Sequence, residues 1–156
     1  MLTHILFPTD FSQASETAFR QVLELALPFR ARVTLLHVYD ILGPWLDQAY
    51  KVVDPKYFEK VESELQESAL QKLEILRKQL SDAKVSAEIL CRRGHAGQQI
   101  VELAGSLDCN LIIMGSRGLG TVGSYLLGST SNYVLHHSLI PVMVIPSVTA
   151  PLQIVF

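Results

Sequence analysis

The chain has 156 residues, 49% of them hydrophobic and 18% charged, with a formal net charge of -2 and a sequence pI of about 6.2. That length suits one domain with a full hydrophobic core, and the slightly acidic balance argues against nucleic acid or an anionic membrane as the main partner. No apolar stretch reaches the ~18 residues of a membrane-spanning helix. The opening MLTHILFPTDFS lacks the positive flank of a signal peptide. Cys91 and Cys109 are in no metal-ligand spacing, and two free thiols suit a reducing compartment. The expected location is the cytoplasm.

Along the chain, short apolar runs alternate with helical patterns. HILFPT, RVTLLHVY, SAEILC, NLIIMG and PVMVIP are too short for helices and apolar on both faces, as buried parallel strands are. Between the first two, residues 12–29 carry a helical stripe of Phe19, Val22, Leu23, Ala26 and Phe29. A second stripe runs Phe58, Val61, Leu65, Ala69, Leu73, Leu76 and Leu80. Ala96, Ile100, Ala104 and Leu107 mark a third helix, and residues 129–137 a fourth, ended by Pro141.

Strands alternating with helices predict a single-domain, doubly wound, five-stranded parallel sheet with helices on both faces, a Rossmann-like α/β fold. The expected domain is residues 1–147, followed by an apolar tail, residues 148–156. Only Asp40–Lys56, with two prolines and the single tryptophan, is irregular, and so long a connection is usually functional.

In such a sheet, ligands sit beyond the carboxyl ends of the strands where strand order reverses. The stretch there of most interest is GSRGLGTVGSYLLGS, residues 115–129, with five glycines. Glycines let main-chain N–H groups approach an anion, and a helix start near Ser129 adds unpaired N–H groups and a positive dipole end. Ser129 and Thr130 either offer hydroxyls to a phosphate or, for Ser129, simply cap the helix. Arg117 is the side-chain cation for a phosphate or a solvated loop residue. The stretch lacks the lysine of GxxxxGK[ST] and is not GxGxxG in the Rossmann sense. Arg92 and Arg93, adjacent in a strand, point opposite ways, so at most one faces the same cleft. His136 and His137 close a helix, where imidazolium is favoured by the dipole.

The spacing Gly115-x2-Gly118-x9-Gly128-Ser129, preceded by LIIM and followed by HSLIPVMVIP, resembles the nucleotide-binding signature of the universal stress protein family. HILFPTDFS, LLHVYD and RRGHAGQQIVELA resemble that family's other strand ends, so the likeness covers nearly the whole chain. It implies a fold of five strands, usually dimeric, and for a subset ATP binding. It further implies that Pro8, Thr9 and Asp10 line the adenosine end, with Asp10 at the ribose or a metal unless it serves only an Asx-turn. Val38 would meet adenine through its backbone, beside a core His37, and Met114 would pack on the adenine plane or serve as plain core.

Fast phosphoryl transfer needs positioned positive charge and a group orienting the nucleophile. Neither is evident here, and no Ser-His-Asp set, carboxylate pair or metal cluster can be assembled. The expected protein binds ATP, AMP or ADP with Mg²⁺ bridging the phosphates, and hydrolyses slowly at most. It would work as a nucleotide-gated module in a stress response, with a protein partner the sequence does not name. The competing readings are a relative working only through protein contacts, and a nucleotide-hydrolysing enzyme. The uncharged Pro141–Pro146 run reads as an edge strand open to pairing, and with the tail residues Leu152, Ile154, Val155 and Phe156 it predicts a homodimer.

Overall fold

The computed structural model describes residues 1–40, 54–117 and 127–146. Five strands, β1 (His4–Pro8), β2 (Arg32–Tyr39), β3 (Ala87–Arg93), β4 (Leu111–Gly115) and β5 (Val142–Ile145), alternate among the described residues with four helices: α1 (Gln13–Phe29), α2 (Pro55–Asp82), α3 (Ala96–Ser106) and α4 (Ser129–His137). The strands form one sheet in the order β3-β2-β1-β4-β5, and every pairing is parallel. This is the expected fold, with β1 and β4 flanking the point where the order reverses.

Alternation along β1 divides the core. Ile5 and Phe7 join Val33, Leu35 and Ile113 on the face covered by α1 and α2, through Phe19, Val22, Leu73 and Leu80. Leu6 joins Leu36, Ile112 and Met114 on the face covered by α3 and α4, through Ile100, Ala104 and Val134. All of β1 is buried, whereas the edge strands β3 and β5 contain no fully buried residue. The apolar runs therefore read as buried strands correctly only at the centre of the sheet. β3 also runs on through Arg92 and Arg93.

Two stripe residues do not reach the core. Phe29, in the last turn of α1 beside Pro28, is 53% exposed. Leu65, within the 28-residue α2, is 43% exposed although it follows the period of its buried neighbours. The helix buries Phe58, Ala69, Leu73 and Leu80.

The amino-terminal ends of the strands are closed by hydrogen bonds. Three helices end in a left-handed residue that is not glycine: Arg30 (φ 52°), Lys84 (φ 63°) and Asp108 (φ 52°). Each turns the next N–H back to the helix, Ala31 to the Ala26 carbonyl at 3.0 Å, Val85 to Leu80 at 2.8 Å and Cys109 to Ala104 at 3.0 Å. This is the Schellman closure, held here despite a left-handed cost of ~1–2 kcal/mol per residue. The Asn110 Oδ1 accepts from the Thr3 N–H at 2.8 Å and the His4 N–H at 2.9 Å, tying the start of β1 to the start of β4.

His4 is buried there. Its Nδ1 lies 3.0 Å from the Leu107 carbonyl and therefore carries a proton, and its Nε2 lies 2.8 Å from Thr34 Oγ1. The Thr34 hydroxyl has one proton for two acceptors, because the Glu88 Oε1 is also at 2.8 Å. It serves neutral His4, or turns to Glu88 when His4 is protonated. Burial, assisted by Arg32, holds the His4 pKa below its ordinary 6.5, while Glu88 and Asp108 act in the opposite direction. In the unfolded chain His4 takes its proton first, so its contribution to stability is complete above pH 6.5 and declines as pH falls toward the folded value. Unfolding free energy measured by denaturant titration should fall between pH 7 and pH 5, and His4→Gln should flatten that dependence. Glu88→Gln should lower the His4 pKa further, as read from the ring proton shifts.

Candidate functional site

Four backbone turns converge at the carboxyl ends of the strands. β1 delivers Pro8, Thr9 and Asp10, and the turn after it is built from side chains. The Asp10 Oδ1 accepts from the Ser12 N–H at 3.0 Å, and the Thr9 Oγ1 accepts from the Phe11 N–H at 3.0 Å. Phe11 takes φ 62°, and Ser12 caps α1 by accepting from the Ser15 N–H at 3.3 Å. The Asx-turn foreseen for Asp10 therefore exists. Asp10 also lines the cleft, so the two roles are compatible.

Across the reversal point, β4 delivers Met114, Gly115 and Arg117, and the start of α4 delivers Gly128, Ser129 and Thr130. These residues, with Pro8, Thr9, Asp10 and Val38, line one cleft of about 270 Å³. Every predicted site residue among the described ones is thus brought together. Gly118 lies outside the described residues, as do most of the Asp40–Lys56 connection and the tail from 148 to 156.

The ends of the glycine stretch are pinned together. The Gly128 N–H donates to the Ser116 carbonyl at 2.7 Å. The buried Ser131 hydroxyl reaches both the Ser116 carbonyl, at 2.9 Å, and the Gly128 carbonyl, at 3.0 Å. Gly128, not Ser129, is the N-cap of α4, and it has no side chain to cap with. The first helical bond there is Asn132 N–H to the Gly128 carbonyl at 2.9 Å. The N–H groups of the first turn ahead of it lack helical acceptors and carry the positive end of the helix dipole. The exposed Ser129 hydroxyl stands in that turn on the cleft wall.

Gly115 has a packing reason to be a glycine beside any approach to an anion. A Cβ there would lie 2.8 Å from the Ala14 carbonyl carbon and 3.0 Å from its oxygen. The residue lets the first turn of α1 rest directly on β4. Lining residues that the sequence reading missed are Ser15, Leu36, Ala96, Ile100 and Ser131. Ser131 was legible only as a third hydroxyl after Ser129 and Thr130, and Ser15 as the residue three beyond the Ser12 cap.

Other candidates lie elsewhere. The Arg93 guanidinium is 3.4 Å from Glu62 on α2, and Arg92 Nη1 donates to the Cys91 carbonyl at 3.3 Å; neither lines the cleft. His37, half-buried, holds Nδ1 2.8 Å from the Thr9 carbonyl and stacks on Phe11 at 4.7 Å, which makes it a support for the β1 turn. His136 and His137 direct Nδ1 at the Asn132 and Tyr133 carbonyls, each at 2.8 Å, at the carboxyl end of α4 as expected. Burial raises the Cys91 thiol and pushes the Cys109 thiol up to about 11, so both are protonated at neutral pH and poor nucleophiles. Among the described residues there is no group of three or more His, Cys, Asp or Glu able to hold a metal, and no helix long and apolar enough to cross a membrane.

Residues 1–146 match the model of the universal stress protein family. The chain belongs to that family. A universal stress protein of Methanocaldococcus jannaschii is 32% identical over 93% of this chain and 95% of its own. A solved structure of that archaeal protein superimposes with a TM-score of 0.79, covering 94% of this chain and 96% of its own. Two more distant family structures share the fold: an Arabidopsis thaliana protein with AMP bound (20% identity, TM-score 0.60, 92% and 91% covered) and a universal stress protein in complex with cAMP (19%, 0.62, 94% and 98%). In this universal stress protein, Gly115→Ala drives a methyl into the Ala14 backbone, which cannot move without shifting α1. The expected cost is ~1–3 kcal/mol, seen as a melting temperature lower by roughly 2–4 °C per kcal/mol.

Proposed function

We propose that this universal stress protein holds an adenine nucleotide in the cleft between the β1 and β4 turns and works as a nucleotide-gated module rather than as a fast enzyme. The observation that carries the reading is the convergence there of the first turn of α4, the pinned ends of the glycine stretch and the β1 turn. The nucleotide complexes of the two distant family members support it. Phosphates would take the orphan N–H groups of α4, the Ser129 and Thr130 hydroxyls and Arg117. The adenosine end would meet Pro8, Thr9 and Val38, with Met114 against the base.

Asp10 is the one carboxylate among the lining residues. A single carboxylate suits Mg²⁺ carried mainly by nucleotide oxygens and water, and does not suit a dedicated protein metal site. ATP, with Mg²⁺ bridging its phosphates, is the nucleotide favoured by the family signature in the sequence. The lining residues include no histidine, glutamate or lysine, and Asp10 Oδ1 already serves the backbone turn. A group to activate water is missing from that set.

Calorimetric titration with MgATP, AMP and ADP tests the reading. Saturable binding of at least one is expected. Ser129→Ala should weaken it by a factor between two and a hundred, the loss of a ~0.5–3 kcal/mol hydrogen bond. ATP turnover should remain well below the ~1–100 s⁻¹ of kinases. Absence of binding by all three would favour a member acting only through protein contacts.

The second part of the proposal is a homodimer through β5. That strand lies at the sheet edge, its four residues are half-buried and uncharged, and Leu139 and Leu135 are exposed nearby. Two-fold pairing would cover these edges, and residues 148–156 would contribute to the interface beside a domain ending near 147. Sedimentation of the full chain should give a dimer at micromolar concentration, and Val144→Lys should shift it to monomer.

A further inference from the structure

The face of the sheet opposite α3 and α4 has a second cleft that the nucleotide reading leaves unused. α1 packs chiefly on β1, β4 and β5, and α2 on β2 and β3. A furrow of about 520 Å³ remains between the helices, within the range of small-molecule sites. Beneath it lie the buried Phe7 and Phe19, 5.5 Å apart between ring centroids, and Phe11 also lines it. Leu23 on α1 and Leu76 and Ile75 on α2 form the walls. Ile75 is 61% exposed at the mouth.

The rim is charged and weighted toward cations, with Lys72 and Arg20 against Glu16. The Lys72 ammonium sits 5.1 Å from the Phe11 ring centroid, where the π face attracts it, and the stem of the side chain can lie along apolar surface. Neither Lys72 nor Arg20 has an ion-pair partner among the described residues. An apolar trough with two such cations on its rim is complementary to a molecule with a hydrocarbon body and one anionic head.

We infer that the α1/α2 furrow is a second ligand site, taking an amphipathic carboxylate of medium-chain alkyl type, with its chain along Phe11, Leu23, Ile75 and Leu76 and its carboxylate at the Lys72 and Arg20 rim. The inference does not depend on nucleotide binding, because it concerns a different face of the sheet.

The probe is sodium decanoate below its micelle concentration, added to the full chain and followed by amide and methyl NMR shifts. Saturable shifts are expected at Phe19, Leu23, Lys72 and Leu76. Lys72→Glu, at the solvent-exposed rim, should weaken binding about tenfold by removing one attraction and adding a repulsion. Leu23→Trp should block the trough, with an unchanged circular dichroism spectrum showing that the fold is retained. Decanol binding as tightly as decanoate would overturn the anionic class. Shifts centred on Gly128–Ser131, or no saturable shifts at all, would overturn the site.

Discussion

The hydrogen bonds of β1 run to β2 on one edge and to β4 on the other, and right-handed crossovers then send the chain leaving β1 and the chain leaving β4 to opposite faces of the sheet. A crevice must open between those two departures. Into it point the turn before α1 and the first turn of α4. The polar groups of the candidate site lie there because the topology leaves backbone donors and acceptors unpaired at that place. The opposite ends of the strands have the contrary character. Left-handed helix closures, Asn110 and His4 satisfy the backbone there, and the surface closes on itself.

Much of this was legible in the sequence. The apolar runs located all five strands, and the four stripes located α1 to α4, because a central parallel strand must be apolar on both faces and a surface helix on one. The residues named for the cleft converge for the same reason: they follow strands whose ends share one side of the sheet. What the pattern did not contain was depth. Phe29 and Leu65 fit the helical period but are exposed, and periodicity does not count what lies beneath a given turn. Helix ends at Arg30, Lys84 and Asp108 were equally unreadable, since no glycine marks them.

Gly115 shows how a position can carry a reason beside the one its sequence suggests. Its place in a glycine signature pointed to ligand approach, and the structure adds a helix backbone within contact of where its side chain would be. Ser131 shows the reverse. As one serine among several it had no signal, yet it bonds both ends of the glycine stretch and fixes the direction of the α4 N–H groups. The site's chemistry matches this construction. Fixed dipoles and hydroxyls are groups able to hold an anion in place.

Thr9 and Ser15 line both clefts, and their hydroxyls are hydrogen-bonded to each other at 3.0 Å. The partition between the two faces of the sheet is at this point one side-chain pair thick. An occupant on one side cannot turn either hydroxyl without redrawing the wall on the other. Any free energy spent in that way is shared, and thermodynamic linkage makes the sharing reciprocal: what one occupant does to the affinity of the second, the second does equally to the first. The Ser15 hydroxyl also donates to the Ser12 carbonyl at 2.8 Å, which ties this shared wall to the cap of α1.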